Sequence, residues 1–196
     1  MKSITFLTLF LGNLLLSFGQ NPKFDIKLSS LTKLDLGLQG IGLTYEPRLS
    51  NKMTVDISAG AGGGYNIEKG SIEINYLKPA FYFSLTPKYF YNRQSRIDKG
   101  KKTLFNSGNY FGLRFKYVTP TNRKSDLTRN SFLANFHWGI QRAIDNHWTF
   151  NSHIGAGYAR DIDYGFETIY PAIDFKFSYI FSNSKKVTYS HKPTVE

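Results

Sequence analysis

From residue 24 onward, apolar and polar residues alternate in runs separated by turn residues, which is the period of a β-strand rather than of a helix. The clearest run is 169–181, where Ile169, Pro171, Ile173, Phe175, Phe177, Tyr179 and Phe181 share one face. Tyr170, Ala172, Asp174, Lys176, Ser178 and Ile180 share the other. At roughly 3.3 Å per residue, a strand of that length tilted by about 40° rises about 30 Å, the thickness of a bilayer core. Strands of ordinary globular domains are about half as long.

Eight such runs are predicted, at about 24–29, 36–46, 54–65, 76–91, 108–118, 131–142, 148–160 and 169–181. Residues 30–35 break the alternation, 47–52 and 143–147 read as short turns, 66–75 as a loop, and 92–107 as the longest connection. Pro79 and Pro87 lie in the fourth run, and a proline offers no ladder donor, so pairing there is expected to be irregular.

The two faces differ in size as well as polarity. Gly40, Gly42, Gly60, Gly62, Gly112, Gly139, Gly155 and Gly157 fall on the polar faces, and most Phe and Trp on the apolar ones. An eight-stranded barrel has an interior just wide enough to be filled by side chains. The glycine-rich polar face is therefore assigned to the inside and the aromatic face to lipid. A soluble carrier of inverse polarity would have to expose that aromatic surface to water. Tyr45, Tyr89, Tyr91, Trp138, Trp148, Tyr179 and Phe181 fall near one end as a membrane-interface girdle, with Tyr65, Phe81, Tyr117, Phe132 and Tyr158 toward the other. The fold class is all-β: an eight-stranded antiparallel up-and-down transmembrane β-barrel.

Charge and composition refine this picture. Lys and Arg number 25 against 14 Asp and Glu, a formal net charge of +11. Nucleic acid is the usual partner for such a balance, but here the charges lie in loops and on inward faces, so none is expected. Residues 1–20 read as a cleaved signal peptide: Lys2, an apolar core from Ile4 to Leu16, then Ser17-Phe18-Gly19. Residues 21–181 form the barrel and 182–196 a polar basic tail. With no cysteine, neither a disulfide scaffold nor a lipidated cysteine is possible.

These features together resemble the small OmpA/OmpX-like outer-membrane β-barrel proteins of Gram-negative bacteria: the leader, the alternating strands, the two short turns, and the aromatic-ended run 173–181. The resemblance implies an outer-membrane, cell-envelope location and insertion by the barrel-assembly machinery through the last strand. It carries no catalytic motif.

The inward set holds acids at Asp25, Glu46, Asp56 and Asp174 and bases at Lys27, Lys88, Arg114, Lys116 and Lys176. With Tyr82, Asn135, His137, Gln141, Asn151 and His153 they are expected to form a lumenal polar network that occludes the barrel, since a charge in a narrow interior is costly unless paired. His137 and His153 could approach a metal, but no third ligand has a fitting spacing, so lumenal hydrogen bonding is favoured and no cofactor is expected. Arg93, Arg96, Lys99, Lys101 and Lys102 in the long connection could meet an anionic periplasmic polymer or protein. Arg123, Lys124 and Arg129 could meet lipopolysaccharide phosphates. Ser152 and His153 are adjacent, so a strand places them on opposite faces, where they cannot act as nucleophile and base. The functional expectation is a non-enzymatic structural or binding protein of the outer membrane; the alternatives are a lipid-modifying hydrolase or acyltransferase, or a small channel.

Overall fold

The computed structural model describes residues 27–120 and 129–181. Eight strands follow one another around a ring: β1 Leu31–Gly37, β2 Gly40–Glu46, β3 Met53–Glu68, β4 Ser71–Phe90, β5 Gly108–Pro120, β6 Ser131–Ala143, β7 Trp148–Asp161 and β8 Glu167–Ile180. Each pairs antiparallel with the next, and β1 pairs with β8 from Lys33↔Ile180 to Gly37↔Lys176, which closes the barrel. Full closure leaves the ring no free edge strand. One end, the base, carries the start of β1, the β2–β3 and β6–β7 turns, the β4–β5 connection and the end of β8. The opposite end is the mouth.

The faces are arranged as the alternation requires. Lys33, Glu46, Asp56, Lys88, Arg114 and Asp174 are buried inside, while Leu36, Phe83, Phe136, Ile154 and Ile173 stand exposed outside. The signal peptide and tail expected at 1–20 and 182–196 lie outside the described residues, as do Asp25, Arg123 and Lys124.

The first stave differs from expectation. The stretch that breaks the alternation, 30–35, is most of β1, and the hairpin turns at Leu38-Gln39 just before Gly40, whose φ of +109° needs glycine. Leu31, Lys33 and Asp35 point in, whereas Lys27 sits exposed before the strand and is not lumenal. The β1–β2 hairpin is short and charged on its inner face, so its apolar signal is weaker than that of the flanking residues 24–29.

A second difference arises at Gly63/Gly64, where the β3–β4 register shifts: Gly63 pairs with Pro79 but Gly64 with Asn75. Tyr76, Leu77 and Lys78 bulge outward there, and Leu77 is 94% exposed. The bulge inverts the phase of β3, so Tyr65 and Ile67 are buried inside instead of facing out. The expected loop 66–75 is a continuing hairpin closed by Lys69-Gly70. Beside Pro87, the β4–β5 ladder also loses pairs between Leu85↔Phe115 and Lys88↔Gly112.

The long connection is structured. Helix α1, Arg93–Asp98, ends at Gly100 (φ +62°), and a 3-10 turn, Leu104–Asn106, enters the base of the barrel. Leu104 and Phe105 pack with Leu31, Ala143 and Ile180. Toward the mouth, Tyr65 and Ile67 pack with Ala80, Val118, Leu133 and Ala159. A charged layer therefore lies between two apolar interior layers.

Glycines make room for the large rings in that layer: a Cβ on Gly139 would sit 2.8 Å from Cε1 of Tyr110. Gly139→Leu is expected to displace that ring and cost about 1–3 kcal/mol by overpacking. A lower unfolding temperature of the refolded barrel would show it.

Candidate functional site

The candidate site is the charged middle layer of the lumen. Its hub is Asp56 on β3, whose carboxylate meets Lys88 of β4 at 2.6 Å, Lys33 of β1 at 3.2 Å and Lys176 of β8 at 3.5 Å. Lys33 also pairs with Glu46 at 2.6 Å, and Lys176 with Asp35. Farther toward the mouth, Arg114 of β5 reaches across to Asp174 of β8 at 2.9 Å. Among the described residues the layer holds four acids and five bases; Lys33 and Asp35 belong to it, and Lys27, expected there, does not.

Lys116 is the base without an acid within ion-pair distance among the described residues. Its Nζ donates to Gln39 Oε1 at 2.6 Å and Tyr65 OH at 3.2 Å, and lies 4.7 Å from the centre of the Tyr82 ring and 5.0 Å from that of Tyr65. Neutral acceptors and ring faces thus solvate this cation.

The expected polar partners are all present on the inner wall. Tyr110 OH donates to Asn151 Oδ1, and Asn151 in turn donates to Gln141 Oε1, which also accepts from Lys88. Asn135 donates to Tyr170 OH, and its Oδ1 lies 2.7 Å from His137 Nδ1. The His137 and His153 rings stack at 4.0 Å between centroids. Among the described residues no group of three His, Asp or Glu could hold a metal. Ser152 faces the other way from His153 and donates to the Asp174 carbonyl oxygen.

The base is tied into the same network. Asn106 donates to Glu46 Oε1 at 3.0 Å, and Gln141 Nε2 donates to the Phe105 carbonyl oxygen at 2.9 Å. Phe105 and Asn106 both have positive φ, 51° and 58°. That backbone is costly for a phenylalanine and holds because packing and these bonds fix it from both sides. Arg93 is buried and donates to the carbonyl oxygens of Thr103, Ser107 and Lys27, so it is structural and not a contact for an external anion. Arg96 donates to Lys102 O and Lys102 to Ile144 O, while Lys99 and Lys101 are exposed. Arg129 is engaged inside the chain, paired with Asp161 at 3.1 Å and stacked on Tyr164.

Around the base the expected girdle residues include two groups of contacting rings. Trp138 Nε1 donates to Tyr91 OH at 2.7 Å, Tyr91 stacks on Phe111, and Trp148, Tyr179 and Phe181 meet edge to face. Tyr45 and Tyr89 stand exposed on the same end.

A small cavity of about 30 Å³ lies in the lumen between Asp35, Asp56, Ser84, Arg114, Asp174 and Lys176 and reaches the hairpin tip at Gly37, Gln39 and Gly40. Three buried atoms on its walls, Asp35 Oδ1, Asp174 Oδ1 and Arg114 Nε, have no hydrogen-bond partner among the described residues.

Replacing Arg114 by Met would strand the buried Asp174 carboxylate, an expected loss of about 3–5 kcal/mol. Lys116→Met strands no acid and should cost far less. Thermal unfolding of both variants in detergent, followed by circular dichroism, distinguishes the two.

No protein-family model matches the chain, and no curated protein matches it. Among solved structures, it is similar to the solid-state NMR structure of outer membrane protein AlkL in DMPC lipid bilayers, at 10% identity and a TM-score of 0.39, over 85% of this chain and 97% of that one.

Proposed function

We propose that the chain is an outer-membrane β-barrel, exported through a cleaved leader and inserted by its last strand, that serves the cell envelope as a non-enzymatic structural or binding component. The observation that carries this reading is the inversion of the fold: buried ion pairs inside and a continuous belt of exposed Leu, Ile and Phe outside. A water-soluble barrel presenting that belt would aggregate, whereas in a bilayer it matches its solvent. The aromatic girdle at the base and the OmpA/OmpX-like pattern of strands support the same placement.

Three features favour occlusion over conduction: the apolar packing under the mouth, the ion pairs of the middle layer, and the segment Leu104–Asn106 in the base. The exposed Lys99 and Lys101, with Lys27, give the base a basic surface that suits an anionic periplasmic partner or headgroups.

Purified protein in planar bilayers is expected to give no stable conductance and to migrate differently on gels before and after boiling. Resolved channels would overturn the occluded lumen, and identical migration the closed barrel. Ile154, midway along β7 and 57% exposed, is the sharper test of the membrane. An Ile154→Arg change should cost about 2–4 kcal/mol near the bilayer midplane, lowering the yield of membrane-assembled protein. Unchanged assembly would count against lipid at that face.

A further inference from the structure

The barrel wall has a low stave. β1 and β2 are 7 residues each, against 13 to 20 in the other strands. Above the hairpin tip, β3 beyond Gly62 and β8 before Asp174 face each other without ladder pairs. On its β8 side this notch reaches into the apolar belt, because Ile173, paired opposite Ile154, is exposed at 60%. Open backbone edges are costly in hydrocarbon, where water cannot satisfy them.

The lumenal cavity reaches this notch. Its base is closed by Leu104 and Phe105, and the mouth by Tyr65, Ile67, Leu133 and Ala159, which leaves the rim at Gly37, Gln39 and Gly40. Its walls carry Asp35 and Asp174, each paired with one cation, Lys176 and Arg114, and Asp56, which is also held by Lys33 and Lys88. The unpartnered atoms there are two acceptors, Asp35 Oδ1 and Asp174 Oδ1, and one donor, Arg114 Nε, on side chains more than nine-tenths buried. Lys116, buried behind Gln39 of the rim, has no acid within ion-pair distance among the described residues and donates to Gln39.

We propose that the notch admits sideways, from the bilayer, the headgroup of an ammonium-bearing phosphate amphiphile. Its primary ammonium donates to Asp35 and Asp174, and its phosphate stays near the rim beside Lys116 and the Arg114 guanidinium. A primary ammonium offers three donors; a trimethylated one offers none and is bulkier. The acyl chains remain in lipid against Leu36, Ile41 and Ile173. This inference rests on the membrane reading above. Gel shift and membrane assembly report that reading separately.

The test uses the full chain in nonionic detergent, with lysophospholipids bearing ethanolamine, choline or glycerol headgroups, and native mass spectrometry of the lipid retained. The ethanolamine form is expected to be held at least tenfold more tightly than the other two. Ser84 lines the cavity and joins none of its ion pairs. Ser84→Val should therefore weaken retention about tenfold while leaving the gel shift intact. Equal retention of the three headgroups would overturn the proposal, as would a gel-shifting Ser84→Val protein that binds like wild type. Competition by water-soluble phosphoethanolamine as effective as the lipid itself would overturn entry from the bilayer.

Discussion

The carboxylate of Asp56 touches three lysines from three staves, and the rest of the interior is arranged around it. In a barrel whose outside is apolar, hydrophobic burial joins the staves only near the two ends, because most of the large apolar side chains face outward. What joins the walls across the lumen is the ion-pair layer of Asp56, Glu46, Asp35 and Asp174 with Lys33, Lys88, Lys176 and Arg114. A buried charge is tolerated only with partners, so Asp56 and Asp174 fix bases two or three strands away, while Glu46 and Asp35 hold bases on adjacent strands. The glycines on the inner face follow from the same constraint, since long cationic side chains and tyrosine rings need the space a Cβ would occupy.

The two ends are closed by different means. At the base, residues between β4 and β5 enter the barrel, and Glu46 joins that segment to the ion-pair layer by accepting from both Lys33 and Asn106. The left-handed backbone at Phe105 and Asn106 places one residue on the apolar patch and the other on the carboxylate. At the mouth, the bulge opposite Tyr76–Lys78 turns Tyr65 and Ile67 inward, and the Arg129 amide bonds the Tyr65 carbonyl oxygen across the opening. The remaining approach to the lumen is the low wall of the β1–β2 hairpin, which gives the cavity its functional interest.

Much of the architecture was legible in the residues themselves. Alternation over 131–181 specified β6, β7 and β8 to within a residue or two, because a period of two over twelve or more residues fits no other element. The choice of inside and outside followed from glycine against phenylalanine. Glu46, Asp56, Lys88, Arg114, Lys116, Asn135, His137, Gln141, Asn151, His153, Asp174 and Lys176 all line the lumen, because a strand's phase fixes the face of every residue in it.

Tertiary structure decided what phase alone could not. Lys33 and Asp35 were hidden because a charged residue on a short inner face looks like a loop until its partners, Glu46 and Lys176, are seen opposite. Tyr65 was misplaced because a bulge inverts the phase without changing composition, and its only trace in the sequence is Gly62-Gly63-Gly64 facing Pro79. Arg93 looked like a surface cation because its neutral partners are backbone carbonyls, which carry no residue-type signal. The short β1–β2 hairpin, and the notch it leaves, depend on how far each stave rises relative to its neighbours. That is a property of register around the whole ring, and no single strand contains it.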